Sequence, residues 1–96
     1  MTDAPGTLLH VRLTIEGRVQ GVGFRWFTVR AAREVGARGW VRNLRDGRVE
    51  ARVAAPADVL DELLGRLRRG PASARVDRID VEPVEEDAAF EGFTQR

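Results

Sequence analysis

Hydrophobic and polar positions along the chain fall into blocks of two different periods. Over residues 8–16 they alternate, with Leu9, Val11, Leu13 and Ile15 on one face and His10, Arg12, Thr14 and Glu16 on the other. This alternation predicts a half-buried strand. Residues 17–23, Gly-Arg-Val-Gln-Gly-Val-Gly, read as a glycine-rich loop. From residue 24 to 35 the period becomes helical, with Phe24, Phe27, Ala31 and Val35 on one stripe and Gly36 placed to cap the end. Residues 38–44 and 48–54 read as two strands joined by a turn at Asp46-Gly47. Val49, Ala51 and Val53 alternate there with Arg48, Glu50 and Arg52, while the pattern leaves open which faces Trp40 and Val41 take.

A second helix is expected over residues 57–69, after Pro56, because Leu60, Leu63, Leu64 and Leu67 stand at i, i+3, i+4 and i+7. Asp58, Asp61 and Glu62 come early and Arg66, Arg68 and Arg69 late, as the helix dipole favours, and Gly70-Pro71 stops it. A strand carrying Val76, Ile79 and Val81 follows over 75–84, then an acidic loop at Glu85-Glu86-Asp87 and a short strand around 90–95. The order β-α-β-β-α-β plus a short terminal strand predicts an α+β fold. It is the ferredoxin-like split βαβ arrangement, with both helices on one face of a mostly antiparallel sheet.

A chain of 96 residues is the size of one domain, expected here to span 1–96 with residues 1–7 as a flexible tail. Basic and acidic residues number 16 and 15, a net charge of +1, which argues against a protein built to coat nucleic acid or anionic lipid. Every basic residue is Arg, so Schiff-base chemistry and lysine-containing phosphate loops are excluded. Cys is absent too, which removes disulfides, thiolate metal sites and a cysteine nucleophile. With no apolar run of membrane-spanning length and no basic-then-apolar start, a cytoplasmic location is expected.

The most informative segment joins the first strand to the first helix. Its glycines let backbone N–H groups turn toward a common point. Gln20, Gly21, Val22 and Gly23 offer no Ser, Thr, Asp or Asn to cap the helix, and Arg25 sits in the first turn, where the dipole disfavours a cation. A bound anion would resolve both oddities. Read alone, the segment is equally well a tight glycine turn beside a solvated Arg. Other motifs fit less well. The Gly-x-Gly-x-x-Gly spacing fails at Trp26, and the cysteine-phosphatase loop would need Cys at Val19. Residues 20–27 partly match an RNA-recognition sheet motif, but Gln20 and Val22 replace its basic and stacking residues.

The stretch Gly17-Arg18-Val19-Gln20-Gly21-Val22-Gly23-Phe24-Arg25, followed by Gly39-Trp40-Val41-Arg42-Asn43-Leu44-Arg45-Asp46-Gly47-Arg48-Val49, resembles the acylphosphatase family over essentially the whole chain. The resemblance implies that the loop of Arg18, Val19, Gln20, Gly21, Val22, Gly23, Phe24 and Arg25 cradles a phosphate with its amides and the Arg25 side chain. It also implies that Asn43 orients the attacking water, and that Arg25 and Asn43 are the catalytic pair. One departure is visible: the family often ends apolar-x-apolar, whereas Gln95 takes the second apolar place, which bears on how the last strand packs.

The family reaction is hydrolysis of the carboxyl–phosphate mixed anhydride of acyl phosphates. A carboxylate leaves readily, so little general-acid help is needed. The motifs hold no His, Cys or Glu and only Asp46, which suits charge stabilisation plus a placed water, without metal or cofactor. The expected partner is a small acyl phosphate, with inorganic phosphate or sulfate as competing anion, no nucleic acid, no membrane, and a monomeric protein. Two rivals are a carbamoyl-phosphate-handling module of a larger maturation enzyme and a non-enzymatic regulatory or RNA-binding domain. His10 is expected at the surface, Trp26, Trp40, Phe90 and Phe93 as packing groups, and the acidic loop and late arginines as solvated.

Overall fold

Strands with every second residue apolar and helices with one apolar stripe must bury those surfaces against each other. The computed structural model describes residues 7–85 and 89–96, so Glu86 and Asp87 of the expected acidic loop and most of the expected tail lie outside the described residues. The elements are β1 (Leu9–Arg18), α1 (Phe24–Val35), β2 (Arg38–Asn43), β3 (Val49–Ala55), α2 (Ala57–Arg69), β4 (Arg75–Pro83) and β5 (Phe93–Gln95). They form a sheet ordered β4-β1-β3-β2-β5, antiparallel except for the β2–β5 pair, which is parallel. The helices cover one face, α1 against β2 and β5 and α2 against β3 and β4.

The core follows the alternation read from the sequence. Leu13 and Ile15 of β1, Val41 of β2 and Val49, Ala51 and Val53 of β3 are buried beneath Phe24, Leu63 and Leu67 of the helices. Each such leucine contributes about 2 kcal/mol by leaving water. Along α1 the buried face is Phe24, Thr28, Ala31 and Ala32 with Val29, so the stripe lies slightly aside from the expected one. Phe27 and Val35 are only partly covered. Thr28 is tolerated inside because its hydroxyl donates to the Phe24 carbonyl at 2.9 Å.

β1 is longer than expected. A bulge between Glu16 and Gly17 carries the ladder on to Arg18, so Gly17 and Arg18, expected in the loop, pair with Val76 and Arg75 of β4. The same bulge accommodates the uneven spacing of Val76, Ile79 and Val81, since Ile79 stands opposite Ile15 and Val76 opposite Gly17. Val81, on the edge strand, remains 41% exposed.

Val41 points to the helices and Trp40 to the other face, where the guanidinium groups of Arg42 and Arg96 lie over its ring at 5.3 Å and 4.3 Å. Phe93 is buried, as expected of a packing group, whereas Trp26 is 57% exposed and lies outside the hydrophobic core of the described residues. Helix α1 holds the short β5 in place: Arg33 Nε donates to the Phe93 carbonyl at 3.2 Å.

Gly39 is required by close backbone approach. It lies between β3 and β5 at φ +143°, and a Cβ there would sit 1.8 Å from the Arg52 carbonyl oxygen. Neither strand can yield without breaking a ladder, so Gly39→Ala is expected to cost about 3 kcal/mol or more. Urea unfolding measures this against Gly65→Ala, an open position within α2. There alanine should be neutral or stabilise by about 0.5–1 kcal/mol. Equal midpoints for the two variants would refute the close-approach account.

Candidate active site

β1 and β2 both run antiparallel to β3, and β5 runs parallel to β2, so the C-terminal ends of all three strands lie at one end of the sheet. There the chain turns through residues 19–23 into α1. Gly23 occupies the N-cap position in a left-handed conformation, φ 76°, and provides no side-chain cap. Among the described residues, the N–H groups of residues 21–26 donate no hydrogen bond to the backbone. The first turn of α1 carries no acidic side chain either. These donors, the positive end of the helix and a cation in the same turn form an anion-receptive surface.

Two clamps fix the loop, and both end on carbonyl oxygens. Gln20 Nε2 donates to the carbonyls of Leu44 at 2.6 Å and Arg48 at 2.9 Å, spanning the mouth of the β2–β3 hairpin. Ser73 Oγ donates to the Val22 carbonyl at 3.0 Å from the opposite side. The hairpin itself closes as its Asp46-Gly47 signal requires. Asp46 accepts from the Arg48 side chain at 2.8 Å and from the Arg48 backbone N–H at 3.1 Å. Those bonds, the side-chain one foremost, hold the Asp46 carboxyl below its ordinary pKa of 3.8.

Between loop, hairpin and β5 lies a crevice of about 140 Å³. Val19, Gly21, Gly23 and Phe24 form its inner wall, and Arg25 and Asn43 reach it from α1 and β2. Arg25 is anchored at the rim by donating from Nη1 to the Arg96 backbone oxygen at 2.9 Å. Arg25 and Asn43, 18 positions apart in sequence, thus meet at one small hollow. Arg18, Gln20 and Val22 do not line it: Arg18 is strand, Gln20 is the hairpin staple, and Val22 meets Ser73. Two further residues, Trp26 and Gln95, line the hollow although the sequence alone does not mark them as site residues. Gln95 carried a signal, since it broke the apolar pattern of the last strand.

The rest of the molecule offers less. A hollow of about 520 Å³ lies between the helices, but its Arg66 already pairs with Glu34 at 3.5 Å and Glu62 at 3.2 Å. No group of three or more His, Cys, Asp or Glu stands together as a metal site among the described residues. None of their helices is long and apolar enough to cross a membrane. Phe24, which the RNA-recognition match would use for stacking, is 1% exposed in the core, and its segment is loop and helix instead of central strand.

The chain is similar to known proteins in both sequence and fold. The acylphosphatase family model matches residues 11–95. A curated acylphosphatase from Rhizorhabdus wittichii is 52% identical over 94 residues, covering 98% of this chain and 93% of its own. The crystal structure of acylphosphatase from Bacillus subtilis superposes with a TM-score of 0.87 at 33% identity, covering 92% of this chain and 98% of that one. T. kodakarensis HypF contains the same fold as 12% of a much longer chain, with a TM-score of 0.80, 29% identity and 95% of this chain covered. With the family model spanning nearly the whole sequence and a curated relative more than half identical end to end, the chain belongs to the acylphosphatase family and is an enzyme of that family.

Proposed function

We propose that the chain hydrolyses the mixed anhydride of small acyl phosphates through a backbone-amide cradle, an Arg25 clamp and a water held by Asn43. One observation carries this reading. Gly21, Gly23, Phe24, Arg25 and Trp26, whose N–H groups are unspent among the described residues, line together with Asn43 a crevice of about 140 Å³, the scale of a phosphoryl group and well below an ordinary small-molecule pocket.

In this reading the phosphoryl oxygens accept from the loop amides and from Arg25, which concentrates donors where negative charge gathers in the transition state. The Asn43 amide, at once donor and acceptor, holds a water without exchanging a proton itself. The water oxygen bonds to phosphorus as the bridging P–O bond breaks, and that electron pair departs with the carboxylate. The proton of the attacking water passes to a phosphoryl oxygen, giving a carboxylate and dihydrogen phosphate. No metal or cofactor takes part. A charged mixed anhydride does not cross a lipid bilayer, so the reading places the enzyme with its substrate in the cytoplasm. It acts there as a monomer, in keeping with an edge strand β4 that bears Arg75, Asp77, Arg78, Asp80 and Glu82.

The test is hydrolysis of acetyl phosphate by the purified protein, with inorganic phosphate as a competitive inhibitor. Phosphate at tenfold its dissociation constant should stabilise the folded state by about 1.4 kcal/mol. For a chain of this size that corresponds to a rise in Tm of roughly 5–10 °C. If phosphate moves neither Tm nor apparent KM, the cradle is not an anion site.

A further inference from the structure

A phosphate cradle accounts for only half of an acyl phosphate, because the acyl half brings a carbonyl oxygen that needs a donor. The crevice contains one polar side chain that the mechanism above does not use. Gln95 lines it beside Arg25, Trp26 and Asn43, is exposed, and its side chain makes no hydrogen bond among the described residues. Its direction follows from strand register. In the parallel β2–β5 pair, Phe93 stands opposite Gly39 and Gln95 opposite Val41, so Phe93 and Gln95 share the face turned to α1. Phe93 is covered there, while Gln95, two residues on, emerges beside the first turn of α1, where Arg25 meets the Arg96 backbone oxygen. Trp26, next to Arg25 in sequence, leaves a largely bare aromatic plane on the same hollow.

We propose that Gln95 is a substrate-positioning residue whose side-chain N–H donates to the carbonyl oxygen of the acyl group, with the Trp26 ring flanking the acyl chain. This rests on the acyl phosphate reading above and extends it to the leaving half of the substrate. An amide is well matched to this role, because it supplies a donor without a charge that would compete with Arg25 for the phosphoryl oxygens. An apolar side chain at this point would leave the carbonyl to solvent alone.

The experiment compares two phosphonates of equal length as competitive inhibitors, acetonylphosphonate, which has the carbonyl, and propylphosphonate, which lacks it. A neutral hydrogen bond predicts that the protein binds the former about fivefold more tightly. In Gln95→Met, similar in length but without the donor, that ratio should fall to about one. kcat/KM for acetyl phosphate should drop by about fivefold, and the inhibition constant of inorganic phosphate should stay within about twofold of the parent value. Because Gln95 is exposed, the variant should fold, and its melting curve verifies this. A ratio that is already one in the parent, or that persists in folded Gln95→Met, overturns the proposal, as does a loss of inorganic phosphate affinity equal to that of acetonylphosphonate. A parent that neither hydrolyses acetyl phosphate nor responds to phosphate overturns the cradle reading itself, and this contact falls with it.

Discussion

Arg25→Ala is expected to lower kcat/KM for acetyl phosphate by about a thousandfold or more, while the protein stays folded. The size follows from the role: a guanidinium facing phosphoryl oxygens in transfer reactions is worth three or more orders of magnitude. The folding cost is small because the Arg25 side chain is only part-buried and gives up one bond, to the Arg96 backbone oxygen. That bond is worth about 1 kcal/mol. Arg25→Lys should recover little, since an ammonium cannot present the planar fork that meets two oxygens at once. Inorganic phosphate should bind Arg25→Ala much more weakly than the parent, which inhibition or thermal shift reads directly. A folded Arg25→Ala with kcat/KM within tenfold of the parent would remove the clamp from the mechanism.

Asn43→Ala should give the opposite partition, with kcat falling about a hundredfold and phosphate bound nearly as tightly as before. An oriented water is an interaction realised in the transition state, so its loss appears in kcat and leaves ground-state anion binding in place. Asn43 is exposed at the very end of β2, and its side chain makes no hydrogen bond within the described chain. Asn43→Asp should also be poor, because a carboxylate there repels the phosphoryl oxygens. If Asn43 only shaped the strand end before Asp46-Gly47, stability would fall and the folded fraction would keep its kcat. Circular dichroism followed by kcat and phosphate inhibition on the same preparation separates the two.

Local rules made much of this molecule readable. Helices α1 and α2 begin and end where the helical period and the residues Gly36, Pro56 and Gly70 place them. The Asp46-Gly47 turn closes as its residue types demand. What stayed hidden depends on distant partners. The bulge at Glu16/Gly17 is defined only against β4, some 60 residues later, and nothing in the alternation of β1 announces it. Gln20 sits inside the loop motif yet bonds carbonyls 24 and 28 positions away, a contact visible only once the hairpin lies beside the loop. Trp40 needed its two arginine neighbours to explain a large ring on the face away from the helices. Trp26, expected to pack, stays outside the core because α1 turns that position outward, to the rim of the crevice.

Both fastenings of the 19–23 loop, from Gln20 and from Ser73, consume side-chain donors and carbonyl acceptors. The loop is therefore held in shape without drawing on its own N–H groups. A guest anion has no internal bond to displace and little chain to order on arrival. The entropy of arranging the donors is met once, when the chain folds, and does not recur as a discount on every binding event. On the proposed reading, a glycine-rich segment that would be loose in isolation meets its anion with its shape already set by the fold.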